Sequence, residues 1–178
     1  MITLARRRRS VLTAVLGALL VAFTLIAAWP AQAAGSAQIE NKERGFLAGP
    51  ACVEIDYARY YAGAEATVDW CDQNGLQMQW TAVPVADGSG FVQLKVAHSG
   101  MCLGVRNGAY TDGAQIIQNY CSSSQSQQWR FVYMSYANGK NFYEVVARHS
   151  GKCLDKSGWN VVQWNCHGGD WQQWSRPF

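Results

Sequence analysis

Thiols are the groups in this chain whose spacing first suggests chemistry. Cys52, Cys71, Cys102, Cys121, Cys153 and Cys166 fall into three pairs, and the pairs are followed in turn by Trp80, Trp129 and Trp174. The first cysteines of the pairs are 50 and 51 residues apart, and the tryptophans 49 and 45 apart. Thiols at this density either oxidise to disulfides or, with imidazoles, hold a metal. No Cys-x-x-Cys pair occurs and the three histidines are far apart in sequence, so no metal or other cofactor is expected. As disulfides, six cysteines allow about 15 pairings, which sequence alone does not separate. If each repeat is one structural unit, the symmetric solution pairs Cys52 with Cys71, Cys102 with Cys121 and Cys153 with Cys166. Catalytic signatures are missing: there is no G-x-S-x-G, H-E-x-x-H or P-loop, and the acids are scattered. The sequence therefore predicts no enzyme.

The elements that must hold these groups are short and extended. Phe91-Val-Gln-Leu-Lys-Val and Phe142-Tyr-Glu-Val-Val-Ala stand at equivalent places and alternate apolar with polar residues, as half-buried strands do. Asp87-Gly-Ser-Gly90, Asn107-Gly108, Asn138-Gly139 and Gly168-Gly169 mark turns between such runs. No helical period is evident after the leader, so an all-β domain is expected. The repeats match in detail. His98-Ser-Gly-Met-Cys102-Leu parallels His149-Ser-Gly-Lys-Cys153-Leu, which gives the two histidines a turn or packing role, and Gln127-Gln-Trp129 parallels Gln172-Gln-Trp174. The first repeat diverges most, with Met78-Gln-Trp80. A period of this kind means that each unit buries its apolar face only against its neighbours.

Arg6 to Arg9, an apolar run from Val11 to Trp29 and then Ala31-Gln-Ala33 read as a secretory signal peptide over residues 1–33, and the protein is expected to be secreted. An uncleaved anchor is the competing reading, and the Ala-Gln-Ala pattern favours removal. No second long apolar run exists, so no membrane span is expected after cleavage. The whole chain is formally +3. Without the four leader arginines, eleven Lys and Arg face twelve acids, a formal charge of −1. The basicity belongs to the leader and gives no footprint for nucleic acid. Residues 34–45 read as a polar N-terminal tail and 46–178 as one domain, with repeats near 46–86, 87–138 and 139–178.

The triple repeat, Cys153-Leu-Asp155 and the two Gln-x-Trp motifs resemble the ricin B-chain-type lectin domains found in secreted bacterial proteins. That resemblance implies a β-trefoil of three units about a pseudo-threefold axis, with Trp80, Trp129 and Trp174 in its core. It also implies a glycan or polysaccharide partner of the galactose or xylose type. In that family an acid after Cys-Leu accepts sugar hydroxyls, an aromatic two residues before the second cysteine stacks on the ring, and an asparagine precedes Gln-x-Trp. Carried over, Asp155, Trp164 and Gln172 fill the third unit, with Trp171 at the asparagine's place as a second stacking ring. The second unit has Gly104 for the acid, Asn119 for the ring, with Tyr120 one place off, and Ser126 for the asparagine. The first has Glu54 for the acid, Trp70 one place late and Met78 for the glutamine. One competent pocket is expected, in the third repeat. The alternative is a trefoil that has lost sugar binding and serves a separate protein partner as an interaction, inhibitor or toxin-accessory domain.

Overall fold

In the computed structural model, residues 36–44 and 49–176 are described, all within one compact unit spanning residues 32–178. The leader reading for residues 1–33 lies outside the described residues. Among those described, no helix is long and apolar enough to cross a membrane.

Among the described residues, eleven strands form one antiparallel sheet system, joined by turns that include five three-residue 3-10 segments. Three hairpins carry the cysteines. They are β1 (Ala51–Ile55) with β2 (Ala66–Trp70), β5 (Cys102–Val105) with β6 (Ala114–Asn119), and β9 (Cys153–Ser157) with β10 (Asn160–Trp164). They close on one another: β10 pairs with β2 through Asn160 and Thr67 and with β6 through Val162 and Gln115, while Glu65 bridges Ile117. The remaining strands are β3 (Trp80–Pro84), β4 (Val92–Val96), β7 (Trp129–Ala137), β8 (Lys140–Ala147) and β11 (Trp174–Ser175). β3 pairs with β4 and β7 with β8, and β11 returns to β8. The all-β trefoil expected from the sequence is the observed architecture.

The reading of residues 34–45 as a tail is corrected for residues 36–44. Leu94 of β4 and Val145 of β8 are fully buried, and their neighbours Lys95 and Val146 face Cys102 and Cys153. Ile39 is likewise fully buried, and its neighbour Glu40 faces Cys52. Val96 and Ala147 pair with Trp80 and Trp129, and Asn41 pairs with Trp174. Through isolated bridges the segment thus takes the place of a first strand in the first unit, and it joins that unit to the third. Its polar residues are buried because they are satisfied. Glu40 pairs with Lys140, and Asn41 Nδ2 donates to the carbonyls of Trp171 and Gln173.

The core is built from the strand residues that alternate inward, around Trp80, Trp129 and Trp174, all fully buried. A buried indole N–H needs an acceptor. Each donates to the carbonyl of the residue after its unit's first cysteine: Trp80 to Val53 at 2.9 Å, Trp129 to Leu103 at 3.0 Å and Trp174 to Leu154 at 2.9 Å. The three disulfides are the symmetric set. Their sequence separations are 19, 19 and 13, because the third hairpin turns tightly at Gly158 where the others make a longer excursion. In the chain-entropy model each closure stabilises by about 3 kcal/mol.

Those excursions are held by the following unit. Gln118, fully buried, donates to the carbonyls of Arg59 and Tyr61, accepts from Ser99, and lies beside His98, whose Nε2 also meets Arg59 O. Gln163, Ser150 and His149 repeat the arrangement on Ala109 and Thr111. At the third junction Val68 stands in the glutamine's place, and its N–H donates to Trp159 O at 2.8 Å.

Replacing Ile39 with Ala should therefore cost about 2–5 kcal/mol, as for a core residue. Denaturant unfolding of the oxidised protein measures it, and a loss within about 0.5 kcal/mol would return the segment to the status of a tail.

Candidate functional site

The third unit brings Asp155, Trp164 and Gln172 around one hairpin. Asp155 lies opposite Val162, and Trp164 opposite Cys153. Residues facing each other across an antiparallel pair share a side of the sheet, so the carboxylate and the ring stand on the same side. Gln172 ends the 3-10 turn Asp170–Gln172. Its Nε2 donates to Asp155 Oδ2 at 2.8 Å and to Asn165 O at 3.0 Å, and its Oε1 accepts from His167 N. His167 adds a second contact to the same oxygen, with Nε2 3.3 Å from Asp155 Oδ2. Its Nδ1 accepts from Gly169 N, which orients the ring with Nε2 toward the carboxylate. A Cβ at Gly169 would lie 2.8 Å from that ring, so a larger residue there would push the imidazole from its place. Both contacts converge on Oδ2. Among the described residues, no hydrogen bond reaches Oδ1.

Around this carboxylate the surface is aromatic and wet. Asp155 is 6% exposed, Trp164 44% and Trp171 55%. The turn bearing Trp171 and Gln172 is braced by the N-terminal segment: Asn41 Nδ2 donates to Trp171 O, and Lys42 pairs with Asp170 at 2.9 Å. Trp171 therefore stands beside the motif glutamine as an exposed ring. The sequence placed these four residues together without the brace, because the segment supplying it carries no cysteine.

In the second unit the acid's place has closed. A Cβ at Gly104 would lie 2.8 Å from Gln127 Cγ, so the glutamine fills the space. Gln127 keeps the structural half of its role, donating to Tyr120 O and accepting from Ser122 N. A cleft of about 280 Å³ remains, lined by Asn107, Asn119, Ser124 and Ser126, without a carboxylate.

The first unit is more complete than its sequence suggested. Its cleft of about 480 Å³ is lined by Glu54, Asp56, Tyr57, Asp69, Gln77 and Trp159, among others. Of these the sequence reading had assigned only Glu54 to this site. Gln77 immediately precedes Met78 and so takes the asparagine's place. Trp159 comes from the third unit, at the tight turn that replaces the excursion. The missing residues between Cys153 and Cys166 were the only signal for it. Trp70 lies instead against Gly49. Met78 replaces the bridging amide with a sulfur that accepts from Asp72 N at 3.4 Å. Burial, and then the charge of Asp69, raise the Glu54 carboxyl above its ordinary range.

Similarity to known proteins agrees with this geometry. The chain matches the family described as ricin-type beta-trefoil lectin domain-like over residues 27–119, 76–160 and 125–177. It belongs to that family: it contains a lectin-like β-trefoil, a fold that supports carbohydrate binding in general. Among solved structures, it resembles the designed threefold-symmetric protein ThreeFoil with a TM-score of 0.67 and 34% identity, covering 79% of this chain and 96% of that one. An exo-beta-1,3-galactanase from Clostridium thermocellum matches with TM-score 0.67 and 26% identity over 79% of this chain, which spans 29% of the galactanase. A Polyporus squamosus lectin bound to a sialylated epitope shares the fold, at 17% identity and TM-score 0.58 over 78% of this chain and 48% of that one. No curated protein sequence matches.

The raised Glu54 carboxyl has a thermodynamic sign. A carboxyl whose folded pKa lies above its unfolded value contributes stability at low pH, and that contribution is lost as pH rises through the folded value. Glu54→Gln should therefore raise the melting temperature near neutral pH, with the gain vanishing below about pH 4. Calorimetric scans across pH check it, and an unchanged melting temperature at neutral pH would contradict it.

Proposed function

We propose that the protein is a secreted glycan-binding module, without catalysis, whose third-unit pocket takes a sugar of the galactose or xylose type. One observation carries this reading: Asp155 has one oxygen held by Gln172 with His167 close to it and the other left open, on the hairpin face that also carries the half-exposed Trp164. Vicinal hydroxyls donate to Oδ1, and the apolar face of the pyranose stacks on Trp164. Trp171 offers a second ring at the rim. A preformed carboxylate loses little freedom on binding, which matters for a ligand that leaves water reluctantly. Three disulfides suit an exported protein. A single shallow site binds weakly, so avidity comes from display in several copies.

A second reading, a trefoil that now contacts a protein, is favoured by the closed acid position at Gly104 in the second unit. A glycan array probed with the oxidised domain in multivalent form separates the two. Binding to terminal galactose or xylan-type glycans is expected. It should fall about tenfold or more in Asp155→Asn, which removes the charge and keeps an oxygen for Gln172. Trp164→Ala should weaken it similarly with little loss of stability. A silent array from the folded protein would reject the glycan reading in favour of the protein partner.

A further inference from the structure

The first-unit cleft is electrostatically unlike the other two. Three carboxylates line it, and Arg59 neutralises only Asp56. Among the described residues no Lys or Arg pairs with Glu54 or Asp69. Glu54 is 8% exposed, and its side-chain partners are neutral: Thr67 Oγ1, 3.4 Å from Oε1, and the Gln77 amide. A carboxylate this deeply buried without a cation is held at a cost. Beside it stand Trp159, 63% exposed, and Tyr57, 83% exposed. Tyr57 holds φ at +49°, where Asn107 at the matching place in the second unit holds +55°. Asparagine tolerates that region readily, and tyrosine does not.

We infer that this cleft is a second, composite site, built by the first and third units together, for an amine-bearing sugar such as glucosamine. Its ammonium meets Glu54 and Asp69 in charge-assisted hydrogen bonds and lies against the aromatic rings. Gln77 and Thr67 supply neutral partners for the ring hydroxyls. The cleft's volume of about 480 Å³ lies in the range of small-ligand sites. A sugar without a cationic group leaves both carboxylates uncompensated, so the amine is what the cleft selects. The inference rests on the lectin reading of the fold and is independent of the third pocket.

Isothermal titration of the oxidised protein with a glucosamine tetramer and with its N-acetylated counterpart tests it. The free amine should bind at least about tenfold tighter. Glu54→Gln and Trp159→Ala should each remove that preference, and Asp155→Asn should leave it intact. Equal affinity for the two tetramers, or a preference that survives Glu54→Gln, would overturn the inference. Spermidine binding as tightly as the glucosamine tetramer would also overturn it, since the cleft would then read charge without reading sugar. Binding abolished by Asp155→Asn would place the ligand in the third pocket, refuting this site while leaving the glycan reading standing.

Discussion

Three buried indole N–H groups and the carbonyls they find set the frame for everything else. A tryptophan at the end of each unit is forced inward by its apolar area, and its one donor must then be met inside. The acceptor in every case is the carbonyl just after the unit's first cysteine. The next residue along is the one at the acid's place: Glu54, Gly104 or Asp155. The bond that satisfies the core therefore also fixes the backbone beneath each candidate acid. In the third unit the motif glutamine reaches the carboxylate itself, so one bond ties the core to the candidate acid.

Departures from threefold symmetry are where the three clefts acquire different chemistry. Two junctions are held by a buried glutamine with a serine and a histidine of the following unit. The third has no excursion to hold. Its short turn presents Trp159 to the first unit's cleft, and Val68 takes that turn by its backbone N–H. Loss of a latch and gain of an aromatic wall are one event. In the second unit, Gly104 lets Gln127 settle into the space an acid would hold. The scaffold stays constant while the acid's place differs: Glu54 in an anionic cleft, Gly104 in a neutral one, and Asp155 as a single braced carboxylate.

Much of this was legible because the marking residues are chemically rare. Cysteine and tryptophan at a shared period gave the units, the disulfides and the core, and Asp155 with Gln172 gave the third pocket's contact. Residues 36–44 were not legible. Ala37-Gln-Ile-Glu-Asn41 carries one large apolar residue, and burial of Glu40 and Asn41 depends on partners 100 and 130 residues away, Lys140 and the turn at Trp171. No local pattern encodes such satisfaction. Trp159 escaped for a related reason: it serves a unit other than its own, and alignment within repeats assigns it no place. Trp70 was read one place late of the aromatic position, and its ring lies against Gly49, a packing choice that the spacing does not reveal.

The N-terminal strand also orders the assembly of the molecule in time. Each disulfide closes a loop of 13 or 19 residues, within reach of a single unit. Closing the ring requires Glu40 to meet Ser175, 135 residues away. Contacts of such separation carry the largest loop-closure entropy, and they form after local ones have shortened the effective chain. Oxidised units come first and the circle closes last. Until then the core edges at Trp80 and Trp174 lack the segment that covers them, and this is the interval in which a newly made chain is most exposed to self-association.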